Sequence, residues 1–237
     1  MSRRFLTAFL CTIFWLLLIT SGTGFGGTKN MTENIHWLGH SGFMIDIAGK
    51  KIYIDPYKVK NPQKASIILI THEHYDHFSK TDIAKLQVKD TIIIANETVT
   101  EEISGNVKTA NPGDVLTING IKIEVVPAYN INKNFHPKAD KKLGFIITLP
   151  DNTRIYHAGD TDLIPEMDKI KVDIAMLPVS GTYVMTASEA ASAALKLNPK
   201  IAIPMHYGAG VIGTIKDAEE FYGLLKGKIE VKILKEE

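Results

Sequence analysis

The chain has 237 residues, 45% hydrophobic and 22% charged, a balance that suits a folded globular domain and excludes a disordered or fibrous protein. Its formal net charge is +1, with no surplus of Lys and Arg to neutralise a row of phosphates, so nucleic acid is not an expected partner. Cys11 is the single cysteine, which rules out an intrachain disulfide and a thiolate metal cage; any metal site must use nitrogen and oxygen.

In residues 1–30, Arg3 and Arg4 precede an uncharged apolar run at 5–19, and the small and polar residues Thr20, Ser21, Gly22, Thr23 and Gly24 follow. This is the layout of a signal peptide or an N-terminal membrane anchor. The expectation is an exported or envelope-anchored protein that meets the membrane only through this segment. A true start at Met31 would give a cytoplasmic one. The remaining residues, 31–237, are read as one catalytic domain.

Short β-type runs then recur at 35–38, 43–47, 51–54 and 67–70, punctuated by Gly, Asp and Pro, and read as a sheet of hairpins. Residues 79–86 read as a helix with Ser79 as its N-cap, 91–95 as a strand, and 96–104 as a second helical stretch. Strands follow at 107–109, 115–118 and 121–126, with Asn119-Gly120 as a two-residue hairpin turn. Further strands fall at 145–149, 154–157, 174–177 and 201–204, alternating with helical patterns at 161–170, 188–197 and Ile215–Leu225 before a closing strand at 228–234. Hairpins with helices packed outside predict layers of helix, sheet, sheet and helix. The loop 128–142 is long for a compact domain, which marks it as functional, and it contains His136.

His72, His74 and His77 fall within six residues, directly after the strand at 67–70 and beside Asp76. Three imidazoles and a carboxylate on one tight loop can converge on cations, because both donor types bind zinc at about 2.0–2.2 Å. This H-x-H-x-D-H pattern, with Gly159-Asp160-Thr161 and Pro204-Met205-His206-Tyr207, resembles the metallo-β-lactamase superfamily. More narrowly, the stretches 37–43, 156–161 and 204–208 resemble its small stand-alone metal-dependent hydrolases, a branch related to ascorbate-6-phosphate lactonase.

The resemblance implies an α/β, four-layer αββα sandwich of two mixed β-sheets flanked by helices. It also implies that His72, His74 and His136 hold one metal, Asp76, His77 and His206 a second, and that Asp160 bridges the two. Two divalent cations are expected; zinc suits the His and Asp set, with Mn2+, Fe2+ or Ni2+ as alternatives. The expected reaction is attack of a metal-bridging hydroxide on an ester-type bond of a small molecule, a lactone or carboxylic ester or a phosphodiester, with Asp76 as catalytic proton acceptor. A di-iron oxidoreductase is the alternative, although related redox folds carry an acidic ligand where this chain has a histidine at His74 and bring a flavin-binding partner domain. A non-catalytic metal-binding protein is a third reading. Asp55 matches the motif whose carboxylate orients the histidine loop. His40 and Tyr207 are expected near the substrate, as are Tyr183 and Thr186, whereas His157 reads as structural and His36 as a surface residue.

Overall fold

Short strands dominate, and their side chains alternate between two apolar surroundings. The computed structural model describes Met1 and residues 31–237 except residue 48. The order is β1 (Ile35–Gly39), β2 (Gly42–Ile47), β3 (Lys50–Ile54), β4 (Ile67–Leu69), α1 (Lys80–Leu86), β5 (Ile92–Ala95), α2 (Glu97–Thr100), β6 (Asn106–Thr109), β7 (Val115–Ile118) and β8 (Ile121–Pro127). It continues through β9 (Leu143–Thr148), β10 (Arg154–His157), β11 (Ile174–Pro178), α3 (Ala187–Leu197), β12 (Ile201–Met205), α4 (Ile215–Leu225) and β13 (Glu230–Val231).

One sheet runs β1-β2-β3-β4-β5-β6 and the other β13-β12-β11-β10-β9-β8-β7. Each is antiparallel on one side and parallel on the other, changing over at β3 and at β10. In the first sheet Phe43, Ile45, Ile52, Ile54, Ile67, Leu69 and Ile94 face the core shared with the second sheet. Their neighbours Met44, Tyr53, Ile68, Ile93 and Ala95 face Ile83 and Leu86 of α1 and Val99 of α2. Burial on both faces is why β4 and β5 are continuous isoleucine and leucine runs instead of alternating ones. On the far side of the second sheet, Ala190, Ala194 and Leu197 of α3 and Ala218, Phe221 and Leu225 of α4 join the same core. The layers are therefore αββα, two mixed sheets with helices outside.

Several expected elements differ. The helix at 161–170 is only a 3-10 turn, Pro165–Lys169. Pro165 disfavours helical geometry in the residue before it, so no helix can run through 164. The stretch 96–104 shortens to α2, and the strand at 228–234 to β13. Thr186 caps α3: its Oγ accepts from the Glu189 amide at 3.2 Å while the Glu189 carboxylate accepts from the Thr186 amide at 2.8 Å. The expected export or membrane anchoring is also corrected. Among the described residues no helix is long and apolar enough to cross a membrane, and the apolar run at 5–19 on which it rested lies outside them.

The strands deliver chemistry to one end of the sandwich. β3 ends at Asp55, β4 opens into residues 71–77, β10 into Gly159 and Asp160, and β12 into His206. His40, Asp55 and His206 all adopt left-handed backbone, with φ of 51°, 45° and 64°. Such strain costs on the order of 1–3 kcal/mol per residue and persists only where packing enforces it. Gly159 has φ +64°, and a Cβ there would lie 2.4 Å from the Leu143 carbonyl oxygen. Gly159→Ala is expected to destabilise the metal-free protein by at least about 2 kcal/mol, roughly 4–8 °C in Tm for a domain of this size. An unchanged melting curve would show that the turn before Asp160 tolerates a side chain.

Candidate metal centre

A buried carboxylate organises the histidine loop. Asp55 Oδ1 accepts from the Thr71 amide at 2.8 Å, and Oδ2 accepts from Thr71 Oγ1 at 2.6 Å and from His77 Nδ1 at 2.8 Å. Because the Thr71 hydroxyl hydrogen is committed to Asp55, Thr71 Oγ1 accepts from His72 Nδ1 at 2.9 Å. His136 Nδ1 donates to Asn130 Oδ1 at 3.0 Å, and His206 Nδ1 shares a 2.7 Å hydrogen bond with the Ser180 hydroxyl. In the rings of His72, His77 and His136, then, Nδ1 carries a proton and is held from outside, and in all four rings Nε2 faces inward.

These nitrogens converge. His72 Nε2 lies 3.1 Å from His74 Nδ1, and His136 Nε2 lies 3.4 Å from the same atom. Asp160 sits between the groups: Oδ2 is 3.0 Å from His206 Nε2, 3.5 Å from His136 Nε2 and 3.8 Å from His72 Nε2, while Oδ1 is 3.3 Å from His77 Nε2. Asp76 Oδ2 stands 3.9 Å from His77 Nε2. Three donor sets have all ligand atoms within 4.8 Å of one another: His72, His74, His136; His40, Asp76, His77, His206; and His72, His77, Asp160.

The electrostatics fit a cation. Lone pairs of neutral imidazoles facing each other at 3.1 Å repel unless a proton or a metal lies between them. The one N–H of a neutral ring can supply that proton, but a second, charging proton is disfavoured. Burial and the neighbouring His77 hold His72 well below the usual histidine range, and burial brings His136 down to about 4. Asp160 is ionised despite its burial, because His206 and His77 hold it well below the carboxylate range. Asp76 falls to about 2, as His40 and His77 outweigh the cost of burying it. His77 moves the other way: burial disfavours its charged form, but Asp160 and Asp55 raise it well above 6.5. His77 Nε2 and Asp160 Oδ1 are buried without a hydrogen-bond partner, an expense that a bound cation removes.

His74, Asp76, Asp160 and His206 open into a pocket of about 230 Å3, rimmed by Tyr75, Phe135, Tyr183 and Val211. A larger cavity of about 720 Å3, around Asn111, Tyr129 and Lys141, contains none of these groups. Tyr207 is buried against the Trp37 ring at 4.7 Å and does not line the pocket, and Thr186 is occupied at α3. His157 braces the fold, its Nε2 donating to the Ser41 carbonyl at 2.9 Å, and His36 pairs with Glu237 away from the site. Asn130 and Ser180 were not picked out in the sequence. Asn130 sits six residues before His136 inside the same loop, and its Oδ1 also accepts the His136 amide, so the loop carries its own orienting group.

Residues 34–206 match the family model described as the beta-lactamase superfamily domain. The chain is similar to a UPF0173 metal-dependent hydrolase of Pyrococcus horikoshii, 35% identical over 221 residues that cover 85% of this chain and 96% of the relative. One from Caldivirga maquilingensis is 32% identical over 210 residues, 80% of this chain and 88% of its own. Among solved structures, a putative metal-dependent hydrolase from Parabacteroides distasonis aligns with a TM-score of 0.75 at 40% identity, covering 85% of this chain and 93% of that one.

Asp55→Asn is expected to weaken metal affinity by about 10–100-fold, because one oxygen acceptor facing Thr71 or His77 becomes a donor. Competition against a chromophoric chelator measures this, and affinity equal to wild type would remove Asp55 from the centre. The metal-free protein should also be acid-sensitive. His40 and His136 sit near 4 when folded against 6.5 when unfolded, so between those values the unfolded chain binds more protons and stability rises with pH. His72 acts in the same sense, whereas His77, raised above 6.5, opposes it only above that value. The unfolding temperature of chelator-treated protein should therefore climb from pH 4 to 6.5, and a flat or falling profile would show that these buried rings are not held neutral in the folded protein.

Proposed function

The chain belongs to the metallo-β-lactamase superfamily and is a metal-dependent hydrolase of its UPF0173 group, and from this we propose that it cleaves an uncharged carboxylic ester or lactone of a small molecule with two divalent cations, zinc by preference. The observation that carries this reading is the convergence of the His72, His77, His136 and His206 imidazoles on Asp160, with their outward nitrogens held by Thr71, Asp55, Asn130 and Ser180. His72, His74 and His136 would hold one cation, Asp76, His77 and His206 the other, and Asp160 both. Bound there, the cations would acidify a water molecule and polarise the carbonyl.

The protein groups define the rest. Asp160, ionised and contacting histidines of both sets, suits a bridge that offsets doubled positive charge. Asp76 stays ionised through the working pH range and borders the pocket, so it can orient a water and take its proton transiently. His74 favours hydrolysis over di-iron redox chemistry, because a neutral imidazole there gives the higher oxidation state of iron less support than a carboxylate.

The pocket rim favours an uncharged substrate. Tyr75, Phe135 and Tyr183 supply apolar and aromatic surface, and Phe135 packs edge-on to Tyr183 at 4.6 Å. Among the described residues no Lys or Arg lines the pocket. Lys142 is engaged by Glu73, Lys133 by Asp162 at 2.5 Å, and Lys58 by the Ala209 carbonyl at 2.9 Å. A phosphate ester would bring charge that, among the described residues lining the pocket, only the cations they hold could offset. A panel of aryl esters, lactones and phosphodiesters should show turnover of the first two classes, and Asp160→Ala should lower kcat/KM by at least about 100-fold. Full activity in Asp160→Ala, or a protein that binds no metal, would sink the proposal.

A further inference from the structure

We propose that His40 is a direct ligand of the second cation, making that site a set of four protein donors, His40, Asp76, His77 and His206. This rests on the metal-dependent reading above and goes beyond it, since the H-x-H-x-D-H pattern supplies no role for a histidine in the β1–β2 turn.

His40 is fully buried, yet both of its ring nitrogens lack a hydrogen-bond partner. Its Nε2 stands 3.0 Å from Asp76 Oδ2 but out of hydrogen-bond alignment, so the approach is that of two donors to a common centre. The ring lies 4.1 Å from that of His206, centroid to centroid, and 5.6 Å from that of His77.

The backbone fixes this placement. His40 donates its amide to the Tyr207 carbonyl at 2.9 Å, and His206 donates its amide to the His40 carbonyl at 3.0 Å. Trp37 Nε1 donates to the same His40 carbonyl at 3.0 Å. The β1–β2 turn and the end of β12 are thus sewn together at His40 and His206, with both residues in left-handed backbone. A histidine held in a strained conformation, desolvated, and facing a carboxylate without an aligned hydrogen bond points to a function at its ring.

The consequence is a division of labour. With Asp160 shared, the first set offers four protein donors and the second five, so the first cation would keep more of its coordination for water or substrate. The first cation would then meet the substrate while the second anchors Asp160 and the loop.

The test uses the full-length protein loaded with 113Cd. Asparagine tolerates left-handed backbone, so His40→Asn removes the imidazole with the least strain. Two 113Cd resonances are expected in wild type. In His40→Asn one of them should move upfield as an oxygen replaces nitrogen, with affinity at that site falling about 10–100-fold, while the other holds its position. If the variant fails to fold, wild-type protein with 15N-labelled histidine answers the same question: 113Cd–15N coupling should reach six imidazoles, those of His40, His72, His74, His77, His136 and His206. Two resonances that both stay in place in the variant, or coupling to all of these except His40, overturn the proposal and leave the metal centre standing. Failure of the wild type to take up any metal overturns the metal-dependent reading itself.

Discussion

The Asp55 carboxylate is the constraint on which the centre depends. It lies at the end of β3 with no exposed surface, and three of its contacts reach Thr71 and His77. A buried carboxylate without donors would be costly, so the β3 end and the histidine loop are locked in one arrangement. Through Thr71 the same carboxylate reaches His72, so one side chain sets the tautomers of two rings. Asn130 holds His136 in the same way with a neutral acceptor, and the Ser180 hydroxyl holds the outward nitrogen of His206.

The fold supplies rigidity for this. β3 and β4 are buried on both faces, between the shared core and α1, so Asp55 and Thr71 leave strands that have little freedom to shift. Left-handed backbone at His40, Asp55 and His206 shows that the surrounding packing overrides local preference where side chains must be aimed. The same site gathers desolvated histidines against ionised Asp76 and Asp160, an arrangement that is poor for stability alone and suited to holding cations.

The pocket and the metal centre divide recognition from chemistry. Negative charge is concentrated at the floor, on Asp76 and Asp160, and the rim is largely aromatic. Tyr57 packs edge-on to Tyr75 at 6.0 Å on one side and Phe135 on Tyr183 at 4.6 Å on the other. Exposed aromatics paired in this way offer a substrate apolar surface at small entropic cost.

The sequence by itself determined the layer order, because period-two and helical patterns report which faces must be buried, and its His and Asp motifs, through the family resemblance they carry, singled out the side chains that the structure brings together. Helix limits at 161–170 and 96–104 were overestimated there, since helical composition continues past the points where Pro165 and the packing of α2 end the element. Only the tertiary structure decided which ring nitrogen faces inward, because that depends on partners such as Asn130 and Ser180 that carry no motif. It also decided the placement of His40. A turn histidine looks ordinary in sequence, and it becomes a neighbour of Asp76 and His206 only because the β1–β2 turn and the end of β12 exchange backbone hydrogen bonds across 166 positions of chain, from residue 40 to residue 206.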